Sequence, residues 1–159
     1  MSSMHPTTHL RTSEQSLTFS RQFDAPVAAV VRAHTDPEQF SHWMGPSGTS
    51  CRLDRFAAHT GGAFDYTITG NGEWRFFGSY HEVGPTRIVH TWEFAGDPGL
   101  ATLEVLSFVD LGQNRCRLDG QSLYTTAKHC AETLAFDESG AGMEENFSRL
   151  DQLLAHLTS

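Results

Sequence analysis

Between residues 50 and 125 the chain is interrupted by turn-forming clusters at Gly61-Gly62, Gly70-Asn71-Gly72, Gly84-Pro85, Gly96-Asp97-Pro98-Gly99 and Gly112-Gln113-Asn114. They cut it into pieces of about eight to twelve residues, the spacing of consecutive strands. None of the connections has room for a crossover, so the stretch predicts an antiparallel meander. One long amphipathic segment follows. Met143, Phe147, Leu150, Leu154 and Leu157 share a helical face, while Glu144, Glu145, Arg149 and Asp151 take the other. The apolar stripe has to be covered, and the meander is its one large partner. A twisted sheet cannot touch a helix across its whole width, so a cavity between the two is the expected by-product.

Ahead of the meander, Leu17, Phe19 and Phe23 alternate as in a half-buried strand. Asp24-Ala25-Pro26 then opens a short helix with Val27, Val30 and Val31 on one face. Thr35-Asp36-Pro37 opens a second, carrying Phe40 and Trp43 and stopping at Gly45-Pro46. A weaker helical piece, residues 127–136, leads into the long one. Residues 1–15 have no periodicity and almost no apolar side chains, which predicts a flexible arm before a single domain over 16–159. The fold class expected is α+β: a curved antiparallel sheet of six or seven strands on a long C-terminal helix, with two short helices after the first strand.

Eleven Phe, three Trp and three Tyr supply enough apolar area for a core in a chain with only two Ile. A net charge of -8 repels phosphate backbones and anionic lipid surfaces, so neither nucleic acid nor a membrane is an expected partner. Cys51, Cys116 and Cys130 are odd in number and have no C-x-x-C spacing, as buried thiols in a reducing compartment would. With no apolar run approaching a bilayer span, a cytoplasmic protein is expected, as a monomer or a homodimer.

Four segments resemble the helix-grip superfamily (START-like, or SRPBCC), in the branch of the activator of heat-shock-protein-90 ATPase. They are Trp43-Met44-Gly45-Pro46, Gly61-Gly62-Ala63-Phe64, the run FFGSYHEVGPTRIVHTWEF from Phe76 to Phe94, and GMEENFSRLDQLLAHL from Gly142 to Leu157. The third is the most specific, combining a Gly-x-Tyr strand, a Pro turn and a Thr-Trp strand. Relatives often carry Gly where this chain has Asn146, and a larger aromatic residue or Met where it has Phe147. The resemblance implies the helix-grip fold. It leaves activity open, since this framework carries lipid carriers, hormone receptors, polyketide cyclases, resistance proteins and co-chaperone domains.

Strand alternation turns Phe64, Tyr66 and Ile68, then Ile88, His90, Trp92 and Phe94, then Leu118, Gly120, Ser122 and Tyr124 toward the helix. The parity of residues 100–111 stays open between Leu103, Val105, Ser107 and Val109 and the alternative Leu106 and Phe108. The candidate ligand-binding residues are Trp43, Met44, Phe64, Tyr66, His90, Trp92, Ser122, Tyr124, Met143 and Phe147, an apolar lining with a few polar tips. Trp43 and Met44 read either as a lid or as ordinary packing against the last helix.

His90 is the one inner-face group able to exchange a proton near neutrality, and so the one candidate catalytic residue. The plainer reading is a structural histidine, since no acid of matching parity adjoins it in sequence. His81 and Glu82 point to opposite faces and cannot form a pair. The nine His show no metal-ligand spacing, and no glycine loop or G-x-S-x-G is present, so neither metal nor cofactor is expected. Glu144, Glu145 and Asp151 are expected on a solvated face near the helix start. The function expected is binding of a small, mostly hydrophobic molecule, catalysis not being required. The alternatives are a module that stimulates a chaperone ATPase, as the resemblance implies, and a polyketide-cyclase-like enzyme using the same cavity.

Overall fold

The computed structural model describes residues 7–137 and 140–158. Within them the order is β1 (Thr8–Ser13), β2 (Ser16–Phe23), α1 (Val27–Thr35), α2 (Pro37–Trp43), β3 (Ser50–Phe56), β4 (Ala63–Gly70), β5 (Gly72–Val83), β6 (Arg87–Phe94), β7 (Thr102–Gly112), β8 (Arg115–Tyr124), α3 (Ala127–Phe136) and α4 (Ala141–Thr158). The strands form one antiparallel sheet in the order β1-β2-β8-β7-β6-β5-β4-β3. Helices α1 and α2 carry the chain from β2 to the far edge at β3, and the meander then walks back until β8 closes against β2.

Local chemistry sets these boundaries. Asp36 accepts a hydrogen bond from the Gln39 amide at 3.0 Å and Pro37 begins α2, satisfying one of the donors a helix start leaves open. The β7–β8 connection is a two-residue loop with Gln113 at φ 56° and Asn114 at φ 58°, the left-handed pair a tight hairpin turn requires. Register shifts between Leu53 and Arg55 on β3, and between Tyr80 and Glu82 on β5, bend the sheet around α4.

The sheet has eight strands, more than the six or seven expected, and the extra one lies in the supposed arm. Residues 8–13 pair with β2 as an edge strand whose side chains are mostly exposed. Main-chain hydrogen bonds hold it, which is why the missing apolar pattern misled. Thr7 fastens it further, its amide and hydroxyl both donating to Glu144 Oε1 at 2.8 and 3.0 Å. The remainder of the expected arm, residues 1–6, lies outside the described residues.

Helix α4 docks through Phe147, Leu150 and Leu154, all buried, with Met143 half-buried. Leu157 is 50% exposed, so the apolar stripe runs one turn longer than the contact. The acidic face is also corrected. Arg21 of β2, whose side chain is fully enclosed, places Nη2 2.7 Å from Glu144 Oε2 and 2.7 Å from Asp151 Oδ2. Glu144 and Asp151 thus tie the helix to the sheet, two turns apart on one side, instead of facing water. Cys116 and Cys130 are buried as expected, whereas Cys51 is half-buried.

Candidate functional site

A cavity of about 310 Å³ lies between the inner face of the sheet and the helices, and all ten residues selected from the sequence border it. Its walls are largely aromatic. Phe64 and Tyr66 stack at 5.7 Å between ring centres, and the Trp92 indole N–H donates to the Tyr66 hydroxyl at 3.3 Å. Trp43 is buried, donates from Nε1 to the Ala33 carbonyl at 2.9 Å, and lies 6.2 Å from the Phe147 ring. These contacts favour the packing reading of Trp43, as part of the wall, over the lid reading.

Met44, beside it, is half-buried with its sulfur 3.5 Å from Asn146 Nδ2, while Asn146 Oδ1 accepts the Gly45 amide at 2.9 Å. Asn146 therefore anchors the α2–β3 turn to α4. Arg149 strengthens that anchor by donating to the carbonyls of Gly45, Pro46 and His42.

A single polar row crosses the apolar wall. His90 on β6 is paired with Glu104 on β7, and Glu104 with Ser122 on β8. Adjacent strands thus place three polar side chains in line on the cavity face. His90 Nε2 is 3.3 Å from Glu104 Oε1, His90 Nδ1 is 2.9 Å from the Thr91 carbonyl, and the Ser122 hydroxyl donates to Glu104 Oε2 at 3.2 Å. Both histidine nitrogens face acceptors, as an imidazolium requires.

Burial disfavours the charge on His90, but the hydrogen bond and charge of Glu104, with the Thr91 carbonyl, outweigh it and raise its pKa. Burial likewise pushes Glu104 up, and His90 and Ser122 reverse the sign and hold it below the ordinary carboxylate value. The two shifts agree on one ion pair inside the cavity. His34, also on the wall, is the opposite case. Burial lowers its pKa to about 4, against a smaller opposing effect of the Val30 carbonyl, which accepts from Nδ1 at 2.8 Å.

Glu104 is the residue that sequence reasoning missed. The search for an acid beside His90 stayed within one strand, whereas the partner comes across the sheet. A signal did exist: with Leu106 and Phe108 facing inward, Glu104 shares their parity and is a lone acid on an apolar face. His9 and His129 were missed too. Both border the cavity, and His9 Nε2 and His129 Nδ1 are buried without a hydrogen-bond partner among the described residues. Gly120 offers no open space, because a β-carbon there would overlap the Phe19 ring.

The order Ser122–Glu104–His90 puts the acid between the other two. A nucleophilic triad needs the histidine in the middle to take the hydroxyl proton, so this row does not activate Ser122. Among the described residues no group of His, Cys, Asp and Glu could hold a metal ion, and no helix is long and apolar enough to cross a membrane.

A curved antiparallel sheet gripping a terminal helix over a lined cavity defines the helix-grip class, the START-like or SRPBCC fold. Residues 24–155 match the Activator of Hsp90 ATPase homolog 1-like protein family, and the chain belongs to it. A crystal structure of a protein from Rhodobacter sphaeroides is similar at TM-score 0.85 and 24% identity, over 95% of this chain and 99% of that one. A solution structure from Arthrobacter aurescens gives TM-score 0.82 and 22% identity, over 94% and 91%. Crystalline CalU16 from Micromonospora echinospora gives 0.60 and 20%, over 94% and 84%. At these identities the likeness concerns the fold. No curated protein matches the chain. Family membership fits a ligand-binding or a co-chaperone-like role.

Proposed function

We propose that the protein holds a small, mostly apolar molecule in the cavity between the sheet and α4. The observation that carries this reading is a 310 Å³ space walled by aromatic rings and crossed by one polar row. That is the combination of desolvating surface and orienting groups that ligand pockets use. A solid core would close such a volume, since side chains normally pack to crystal-like density. The three free cysteines accord with a reducing, cytoplasmic setting.

Native mass spectrometry of the purified protein should find a retained compound. A panel of hydrophobic dyes and lipids should raise the melting temperature, because a ligand at 100 times its Kd adds about 2.7 kcal/mol to the folded state. A panel without any shift, together with an empty mass spectrum, would overturn the reading.

The family match favours a second role, docking on a heat-shock-protein-90-type chaperone and stimulating its ATPase. An unchanged ATPase rate with saturating protein would exclude it. A cyclase-like reaction has less support. Both ring nitrogens of His90 already face acceptors, so proton exchange with a ligand would require it to leave Thr91 or Glu104 first. Under that reading, His90→Gln lowers turnover while ligand affinity stays near its original value.

A further inference from the structure

We propose that the polar row of the cavity takes the hydroxyl or N–H group of a neutral ligand, and that Glu104 is the acceptor of its hydrogen bond. The inference rests on the cavity-binding reading and adds the chemical class of the guest.

An ionised carboxylate offers about four acceptor positions. Among the described residues, Glu104 receives Ser122 at 3.2 Å on Oε2 and His90 at 3.3 Å on Oε1, both long for charged partners. Its side chain keeps 24% of its surface open, and the residue borders the cavity. Spare acceptor capacity therefore faces the lumen.

The other two members of the row have no donor to give. His90 spends both ring protons on Thr91 and Glu104, and Ser122 spends its own on Glu104. A ligand acceptor such as a ketone or an ether would find no hydrogen in this row. A ligand carboxylate would meet Glu104 as a like charge. A cation is not demanded either, since His90 already balances the carboxylate. A neutral donor is the group that completes the row. A wholly apolar guest would leave the open lone pairs of Glu104 unmet, the situation that makes polar sites reject analogues lacking a polar group.

The test compares 2-naphthol with 2-methoxynaphthalene, which share the ring system and its oxygen, the ether carrying a methyl group in place of the donor hydrogen, by titration calorimetry and tryptophan fluorescence at neutral pH. The expected result is binding of the naphthol at least about tenfold tighter, the size of one hydrogen bond to a charged group. In Glu104→Gln, whose amide is a weaker acceptor and can itself donate, the preference should fall below about threefold. Equal affinities in the unaltered protein overturn the donor rule and leave the cavity reading standing. A preference undiminished in Glu104→Gln overturns the assignment to Glu104. Failure of both compounds to bind overturns the cavity reading and the inference together. The unaltered-protein comparison needs no substitution, so it decides the donor rule even if the variant does not fold.

Discussion

Phe19 and Gly120 face each other across the β2–β8 pair, and the phenylalanine ring occupies the space where a side chain at position 120 would begin. Glycine lets the ring lie over the neighbouring strand, where it also meets Phe147 of α4 at 6.1 Å between centres. Strand and helix are thereby coupled through one ring. Gly120→Ala should cost about 1–3 kcal/mol in urea denaturation, because the ring must leave a well-packed site. A neutral result would mean that Phe19 has room to move.

Two residues along β8 the outcome should differ. Ser122 borders the cavity, so Ser122→Phe adds volume where space exists. Stability should change by less than about 2 kcal/mol, while affinity for a hydrophobic dye falls at least about tenfold. Paired denaturation and dye titrations of both variants would check the contrast.

Arg21 is enclosed between Glu144 and Asp151, whose side chains keep 26% and 13% exposure. Burial opposes the Arg21 charge, and the two carboxylates reverse that and raise its pKa. Arg21→Leu leaves both acids without their cation and should cost about 3 kcal/mol. Replacing Glu144 and Asp151 by Gln and Asn in the same background should recover much of the loss. Chemical denaturation of single and triple variants would measure both effects.

Two histidines on the same cavity should titrate in opposite directions. His34, held neutral by burial, has its pKa lowered from 6.5 to about 4. The unfolded chain takes up that proton near pH 6.5 and the folded chain does not, so stability falls as pH drops through this window, by about 3 kcal/mol in all. His90 is raised despite burial, through Glu104. Its stabilising contribution is full below pH 6.5 and is lost as pH rises through the folded value. NMR titration of the ring protons should show His34 moving near pH 4 and His90 above 6.5. His34→Gln should flatten the acid-side loss of stability.

Tryptophan fluorescence should report occupancy through particular residues. Trp43 and Trp92 border the cavity, whereas Trp74 is 38% exposed and does not. Ligand-induced quenching should survive Trp74→Phe and lose a clear share of its amplitude in Trp92→Phe. Equal losses would place the ligand elsewhere.

Much of this protein follows from local patterning. The turn clusters after residue 50 set the antiparallel meander, the period of Met143, Phe147, Leu150 and Leu154 set the terminal helix, and strand alternation picked six of the ten candidate residues that border one cavity, Phe64, Tyr66, His90, Trp92, Ser122 and Tyr124. These are short-range consequences of backbone geometry and apolar spacing, so they can be read along the chain. What needed the tertiary structure were pairings between distant segments. β1 is held by main-chain bonds that carry no side-chain signature. Arg21 meets Glu144 and Asp151 across more than a hundred residues. Glu104 reaches His90 only because β6 and β7 align in a register that places them opposite each other, set across two strands and not within either. Charge and hydrogen-bond partners depend on that register, and a shift of one residue would have turned the carboxylate to the opposite face.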